Sequence, residues 1–381
     1  MKILLAKKKR THFKQIGKLI PKIRAQFIVV THLIPNNFEL INTLATIAPI
    51  ALLVAIPYSL DHALYTRLHK RYNIIVPPLK ELTNPQYLLT QILSEINPEI
   101  PTIILEIGGY FAAILNDLAK KLKELIGIIE DTESGHRQYE KLDAFPVPII
   151  SIAHSHLKKA EDFLIGNACL FSTERLIRKM GNIVEGRNVL ILGFGKIGRG
   201  LAHTLLRRGC LVNIYDLNPT KLTVAISEGF YIPKKIEAIK KANIIFGTTG
   251  CLSLNQQEYK YIKNGAVLAS CSSKDVEFDL NYLRRHYKHK EILPHCTEFT
   301  NKRQRFYLLA DGHPVNFLDG SPLGAALALS QSEIILAIKE IIKLHNADKK
   351  GIFELERHEK TMLSEMWIKH FCDPITGYYS D

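Results

Sequence analysis

Three closely spaced glycines follow a short apolar run in the middle of the chain. Gly193, Gly195 and Gly198 have the order G-x-G-x-x-G and come directly after residues 189–192. Gly193 permits a tight turn, Gly195 lets the backbone approach a pyrophosphate, and Gly198 allows close packing of a helix on the strand. The positive N-terminal end of that helix would attract the anion. The motif therefore predicts a dinucleotide site.

An acidic residue ends the next apolar run. Asp216 lies at the distance, about 20 residues after the first glycine, at which an acid accepts hydrogen bonds from the adenosine ribose. Its charge would repel a 2′-phosphate, so the sequence favours NAD over NADP. The site is expected to include Lys196 and Ile197, at the start of the helix. A glycine turn without a ligand is the alternative, and the strand, helix and acid in the right places argue against it.

A second polar turn contributes to the same prediction. Thr248, Thr249 and Gly250 follow an apolar run at 244–246. Small and hydroxylated residues at the carboxyl end of a strand suit a cofactor crevice, although alone they would be a common turn. We expect them to contact the cofactor.

The elements that would position these residues alternate along the chain. Continuous apolar runs separated by helical stretches predict parallel sheets covered on both faces, and so an α/β fold. The predicted strands are 27–30, 51–56, 73–76, 102–105, 127–129 and 147–152, then 188–192, 211–215, 244–246 and 266–269. The predicted helices include 38–47, 110–125, 161–180 and 325–343.

Two doubly wound parallel-sheet domains follow from this order. The first is expected at 1–181 and is completed by a C-terminal helix at 325–345. The second, at 182–324, is a Rossmann domain for NAD. Residues 346–381 are expected to form a polar tail.

Bulk composition excludes several classes of protein. The 381 residues carry a net charge of +13, but the basic residues are spread out and lie in no nucleic-acid-binding motif. We therefore expect no nucleic-acid partner and attribute the charge to anionic small molecules. The six cysteines form no C-x-x-C pair, which argues against disulfides and zinc and favours the cytoplasm. No metal site is expected, because the histidines lack ligand spacing.

One uncharged stretch has the length of a membrane span. Residues 41–60 carry no charge, but they include Asn42, Pro49 and Pro57. They are better interpreted as the end of a helix, a turn and a buried strand. We expect no membrane segment.

These motifs, taken together, resemble S-adenosylhomocysteine hydrolases from about residue 32 to residue 342. In the second domain the resemblance rests on five stretches: 193–200, 216–219, 248–251, 275–279 and 308–316. In the first domain it rests on 130–135, Gly108-Gly109, and Lys158 with Asp162.

The resemblance implies a mechanism and its residues. Such enzymes use bound NAD to oxidise a ribose hydroxyl, held by a lysine and an aspartate that correspond here to Lys158 and Asp162. It further implies roles at the substrate for His32 and Asp131. Cofactor contacts are implied for Thr132, Ser134 and Asn316. Because Lys158 and Asp162 are four residues apart, they would share a helix face, where a surface ion pair is the alternative.

Several working groups of that family are replaced. The catalytic aspartate aligns with Ile107, and two histidines align with Ser273 and Ser321. The basic-tyrosine C-terminus, which completes a neighbouring subunit's cofactor site in the family, is absent from the tail. General acid/base groups contribute roughly 10²–10⁴-fold, so hydrolysis of S-adenosylhomocysteine should be impaired. His136 and His154 lie close to this region of the sequence and are candidates for new acid/base chemistry, although an ordinary histidine is the commoner case.

Three functions remain open on this evidence. The first is an NAD-dependent enzyme that oxidises a secondary hydroxyl of another small molecule, nucleoside-like in structure. The second is a catalytically silent NAD-binding relative that acts through a partner, and the third is a slow, true S-adenosylhomocysteine hydrolase. A homo-oligomer, either a dimer or a tetramer, is implied by the resemblance.

Overall fold

The computed structural model describes residues 2–272 and 276–373. It divides into two compact units, one formed by Met1–Lys158 with Gly324–Asp381 and the other by Lys159–Leu323. Each unit contains one seven-stranded sheet. The α/β class with two doubly wound sheets and a C-terminal helix returning to the first unit is confirmed.

Fourteen strands are present within the described residues. They are β1 Gln26–Thr31, β2 Ile50–Ala55, β3 Ile74–Ile75, β4 Thr102–Glu106, β5 Leu125–Glu130, β6 Pro148–Ser151, β7 Asn188–Leu192, β8 Leu211–Tyr215, β9 Ile244–Gly247, β10 Ala266–Ser270, β11 Lys288–Leu293, β12 Cys296–Thr300, β13 Arg305–Leu309 and β14 Gly351–Phe353.

The α-helices of the described residues also number fourteen. They are α1 Lys2–Gly17, α2 Phe38–Ile47, α3 His62–Leu68, α4 Leu79–Leu82, α5 Pro85–Glu95, α6 Leu115–Lys121, α7 Glu133–Tyr139, α8 Lys158–Lys179, α9 Lys196–Arg207, α10 Pro219–Ser227, α11 Lys235–Lys241, α12 Leu280–His286, α13 Leu327–Asn346 and α14 Arg357–Phe371.

The first sheet is parallel throughout, in the order β14-β6-β5-β4-β1-β2-β3. Its central strands are buried on both faces, as their continuous apolar sequences predicted. The uncharged stretch at 41–60 forms the end of α2, a turn and β2, as predicted. In the part of the chain that is described, no helix is long and apolar enough to cross a membrane.

The second sheet has the order β11-β12-β13-β10-β9-β7-β8. Strands β10, β9, β7 and β8 are parallel, whereas β12 pairs antiparallel with both β11 and β13. The second sheet is therefore mainly parallel, with an antiparallel edge that the sequence did not indicate. β11 carries four charged or histidine side chains in six exposed or half-buried positions, so it has no apolar pattern by which a strand is recognised.

The expected end of the first domain at residue 181 is corrected to residue 158. Helix α8 begins at Lys158, and its buried residues Cys169, Leu176 and Ile177 belong to the apolar core around β7 and β9. The sequence boundary at 181 places this helix in the first domain. Its packing places it with the second unit.

The segment expected to be a C-terminal tail is instead structured as far as residue 373. β14 adds a parallel strand to β6, and α14 buries Leu363 and Phe371 in the core of the first unit. The Trp367 indole nitrogen donates a hydrogen bond of 2.8 Å to the Ala325 carbonyl. The polar composition of this segment concealed its few apolar anchors.

The predicted helix at 110–125 is also corrected. A 3₁₀ turn occupies Ala112–Ile114, α6 covers only Leu115–Lys121, and Leu125 already begins β5. The apolar residues of a turn, a helix and a buried strand follow one another here, and periodicity alone does not separate them.

Candidate functional site

The glycine turn between β7 and α9 has the geometry that the motif predicted. Gly193 has a φ of +102°, and a Cβ there would lie 2.8 Å from the Thr248 carbonyl oxygen. A Cβ on Gly198 would overlap the carbonyl oxygen of Gly193, so the helix can start this close to the turn only with glycine. Gly195 is the N-cap of α9, and no atom lies within 4 Å of the position its Cβ would take.

The open space at Gly195 distinguishes it from the other two glycines. Gly193 and Gly198 are required by the fold, whereas the protein itself leaves room for a side chain at Gly195. A group that must approach the backbone at the first turn of α9 would use this space, together with the amides of Lys196 and Ile197. The turn therefore fits the pyrophosphate of a dinucleotide.

Asp216 connects the end of β8 to the glycine turn. Its carboxylate accepts hydrogen bonds from the Phe194 amide at 2.7 Å and from the Asn218 amide at 2.8 Å. The Lys221 amine lies 3.8 Å away. The carboxylate thus holds the turn in shape at the edge where the adenosine ribose is predicted to bind.

The threonine turn after β9 closes the other side of this region. The Thr248 hydroxyl donates to the Gly193 carbonyl at 2.6 Å, which ties the two turns together. Thr249 donates to Glu277 at 2.8 Å, and the Gly250 amide donates to the same carboxylate at 2.7 Å. Glu277 is buried, and burial raises its pKa. Sequence reasoning gave Glu277 no role of its own, although it lies in one of the stretches that carry the resemblance.

Asn316 is buried in the same unit. Its side-chain nitrogen donates to the Ser321 hydroxyl at 3.0 Å, and its backbone carbonyl oxygen accepts from the Ser321 backbone amide at 2.9 Å. Ser321 has a φ of +46°, a left-handed conformation stabilised by this turn. Ser273 and Asp275 lie outside the described residues.

In the first unit, Lys158 and Asp131 form a buried ion pair. Asp131 directly follows β5, and the Lys158 amine at the start of α8 donates to its carboxylate. The two side chains are 7% and 20% exposed. Asp162, one helical turn further on, is also buried and lies 3.8 Å from the Lys196 amine. A surface ion pair on one helix therefore does not describe these residues.

His32 follows β1 at the same edge of the first sheet. Its Nδ1 atom lies 2.6 Å from the Ser59 hydroxyl. Burial, and secondarily the charge of Lys158, lowers the pKa of His32 to about 3. The imidazole is therefore neutral at physiological pH.

Glu130 organises the loop that precedes α7. Its carboxylate accepts from the amides of Gly108 at 3.1 Å, Gly109 at 3.0 Å and Thr132 at 2.6 Å. Burial raises the pKa of Glu130 to about 7. The Thr132 hydroxyl caps α7 and lies 3.2 Å from that of Ser134. Both hydroxyls have partners within the first unit, and their contact with a cofactor stays a prediction.

Comparisons with known proteins point to the same family as these two sites. Residues 169–321 match the family described as S-adenosyl-L-homocysteine hydrolase, NAD binding domain. The chain is 27% identical to an adenosylhomocysteinase of Thermotoga maritima, over 75% of this chain and 74% of that protein. It is 25% identical to an S-inosyl-L-homocysteine hydrolase of Methanocaldococcus jannaschii, over 73% of this chain and 68% of that protein. Among solved structures, the A chain of dipicolinate synthase from Bacillus subtilis is similar with a TM-score of 0.45 and 14% identity, over 84% of this chain and 99% of that one.

The chain is similar to adenosylhomocysteinases over most of its length, and its second unit matches their NAD-binding domain. It is an enzyme, and NAD is its cofactor. The glycine turn of the second unit fits that cofactor, because the open space at Gly195 lies beside the first turn of α9.

Replaced family positions occur in both units. Ile107, which the sequence resemblance aligns with a catalytic aspartate, follows Glu106 at the end of β4 and packs against the apolar core. It has no proton to exchange. In the second unit Ser321, at the position of a family histidine, serves the turn with Asn316.

Two histidine rings lie against each other, tilted by 51°, in the first unit. The rings of His136 and His154 have centroids 4.1 Å apart. His136 lies 2.9 Å from the Ser151 hydroxyl and 3.2 Å from Glu140, whereas His154 lies 3.0 Å from Glu133. Each ring therefore has a carboxylate partner of its own. Among the described residues, no group of three or more His, Cys, Asp or Glu side chains is arranged to hold a metal ion.

Proposed function

We propose that this enzyme uses NAD to oxidise a secondary, ribose-type hydroxyl of a nucleoside-like substrate other than S-adenosylhomocysteine. The observation that carries the proposal is the buried Lys158–Asp131 pair at the carboxyl edge of the first sheet. A lysine that is 7% exposed and held by one carboxylate is positioned for chemistry, because burial of an ammonium has a large cost without such a role or partner.

Oxidation of the hydroxyl needs one acceptor for a hydride and another for a proton. Oxidation of a secondary alcohol removes a hydride from the carbon and a proton from the oxygen. NAD, when bound, accepts the hydride. Lys158, in its neutral form, accepts the hydroxyl proton at Nζ, and Asp131 stabilises the resulting ammonium. His32, being neutral, can donate or accept a hydrogen bond without adding charge.

The replaced residues support a change of substrate or of the later steps. After oxidation, elimination at the neighbouring carbon needs a group that takes and returns a proton. Ile107 cannot do so, and Ser321 is occupied by its turn with Asn316. The chain therefore has Lys158 and Asp131 for the oxidation, but it lacks the acid/base groups that hydrolysis would use at Ile107 and Ser321.

The test is reduction of bound NAD by a panel of nucleosides. The relatives include hydrolases named for adenosyl and for inosyl compounds, so adenosine and inosine are the first probes. Reduced nicotinamide is followed by its absorbance. Lys158→Ala is expected to lower the rate of reduction by at least about 10²-fold, because it removes the proton acceptor. Its NAD content, measured by mass spectrometry, should stay that of the unaltered protein.

The neighbouring lysine is the matched control. Lys159 is exposed, and Lys159→Ala is expected to reduce NAD at a rate within about twofold of the unaltered protein. Absence of reduction with every nucleoside would favour the silent NAD-binding relative. Release of homocysteine from S-adenosylhomocysteine as fast as NAD is reduced would identify a true hydrolase instead.

Location and assembly belong to the same proposal. All six cysteines are free, which suits a reducing compartment such as the cytoplasm. The family resemblance suggests a dimer or a tetramer, and light scattering of the purified protein would distinguish them.

A further inference from the structure

Glu333, on α13, is a fully buried acid in the first unit. Its side chain has no exposed surface, and among the described residues neither carboxylate oxygen accepts a well-formed hydrogen bond. A buried carboxylate without such hydrogen bonds is costly, even when a cation lies nearby. Glu333 therefore calls for an explanation that its helix alone does not provide.

Charged and polar groups near Glu333 come from α14, from the segment before it, and from the start of α8 with its preceding loop. The Lys360 amine on α14 lies 4.0 Å from its carboxylate and forms a second ion pair of 2.6 Å with Glu354. The Ser155 hydroxyl, in the loop before α8, and the charge of Lys158 also act on Glu333. Burial nevertheless dominates, and it raises the pKa of Glu333 to about 7.

The same lysine is the one that the proposed oxidation requires. Lys158 is bonded to Asp131 after β5, and its charge acts on His32 after β1 and on Glu333 in α13. Asp131 is bonded to the amine directly, and His32 is neutral. Glu333 and Glu130 both have a pKa of about 7, but Glu130 acts on Asp131, whereas Glu333 acts on Lys158 itself.

Ser155, in the loop before α8, connects the backbone of Lys158 with the surroundings of Glu333. Ser155 is fully buried, and its carbonyl oxygen accepts the Lys158 backbone amide at 3.2 Å. Its hydroxyl is turned to the Leu157 amide at 3.2 Å and acts on Glu333 from the same loop. The first residue of α8 is thus fixed by a serine that lies beside the buried acid.

We propose that the Glu333–Lys360 pair positions Lys158. The pair sets the charge around the Lys158 amine and, through Ser155, holds Lys158 in place at the start of α8. This inference rests on the proposed function, because it assigns a proton acceptor to Lys158. Ionised Glu333 favours the ammonium form of Lys158, whereas protonated Glu333 makes it easier for Lys158 to release its own proton.

The experiment compares Glu333→Gln with the unaltered full-length protein loaded with NAD. The glutamine keeps the shape and removes the charge, so Lys158 is expected to lose its proton at lower pH. The midpoint of the pH profile for NAD reduction by the active nucleoside should fall by about one pH unit. Glu333→Asp, which keeps the charge, should return the midpoint most of the way.

A second readout needs no turnover. In protein with ¹³C-labelled lysine, the Lys158 Cε signal is assigned by its loss in Lys158→Arg and titrated by nuclear magnetic resonance. Its midpoint should fall by a similar amount in Glu333→Gln. If no nucleoside reduces NAD but this shift occurs, the proposed function fails and the coupling stands. An unchanged Lys158 midpoint overturns the inference, whatever the activity.

The matched control is another buried acid on the same helix. Glu340 is 11% exposed and pairs with Lys343, two helical turns after Glu333. Glu340→Gln should leave both midpoints unchanged. Equal shifts in the two variants would mean that any loss of charge on α13 disturbs Lys158, and the specific role of Glu333 would be refuted.

Discussion

The glycines between β7 and α9 are required for different physical reasons. A side chain at Gly198 would collide with the backbone of the turn itself, whereas a side chain at Gly195 would meet only empty space. The first constraint concerns folding and the second concerns a ligand. Substitutions at the two positions can therefore separate the stability of the turn from its ability to bind NAD.

We expect Gly195→Ala to unfold within about 1 °C of the unaltered protein and to bind NAD at least about ten-fold more weakly. Its φ of −79° is accessible to alanine, and the new methyl would occupy the space predicted for the pyrophosphate. Gly198→Ala should instead lower the melting temperature by several degrees, roughly 2–4 °C per kcal/mol lost. Calorimetric titration with NAD and thermal unfolding provide the measurements. Unaltered NAD affinity in Gly195→Ala would exclude this location of the pyrophosphate.

At the scale of elements, the close crossing of α8 and α9 explains why α8 belongs to the second unit. A Cβ on Gly200 would lie 2.7 Å from the Phe163 carbonyl oxygen, and one on Gly166 would lie 2.5 Å from the Leu201 amide nitrogen. Glycines on both helices thus allow their backbones to touch. The sequence shows these glycines, but it does not show that they face each other.

Gly200→Ala is expected to lower the free energy of unfolding by on the order of 2 kcal/mol, because the added methyl forces the two helices apart. Denaturation with urea measures this loss. Arg207→Ala, at an exposed position of the same helix, should change it by no more than about 0.5 kcal/mol. Equal stabilities of Gly200→Ala and the unaltered protein would show that the crossing is loose.

At the scale of the whole molecule, buried titratable groups make stability depend on pH in opposite directions. Burial raises the pKa values of Glu130 and Glu333 to about 7, so each opposes folding increasingly as pH rises from about 4.5 to 7. Burial lowers the pKa values of His12 and His32 to about 4 and 3. These histidines oppose folding as pH falls below about 6.5, because the unfolded chain binds their protons first.

The contribution of Glu333 can be isolated by substitution. At pH 5 the folded protein holds Glu333 protonated, so Glu333→Gln should change the free energy of unfolding little. At pH 8 the unaltered protein carries the buried charge, and the variant should be more stable by on the order of 3 kcal/mol. Urea denaturation at the two pH values measures the difference. A difference that is independent of pH would mean that Glu333 does not titrate in this range.

The sequence by itself determined the local features of the second unit. Strands β7 and β8 lie at the predicted residues, and the turn at Gly193 has the expected positive φ. These features depend on apolar periodicity and on the conformations open to glycine, both of which are properties of a few consecutive residues.

Only the tertiary structure decided which charged groups share an environment. Asp131 and Lys158 are 27 residues apart, and Glu333 and Lys360 also come from separate helices. No spacing rule joins such residues, because their proximity follows from the order of strands in the first sheet and from the return of α13 and α14 to it. The same reason explains why α8 packs with the second unit and why residues after 346 form a strand and a helix rather than the predicted tail. Packing against apolar residues that are distant in sequence, rather than local composition, determines both results.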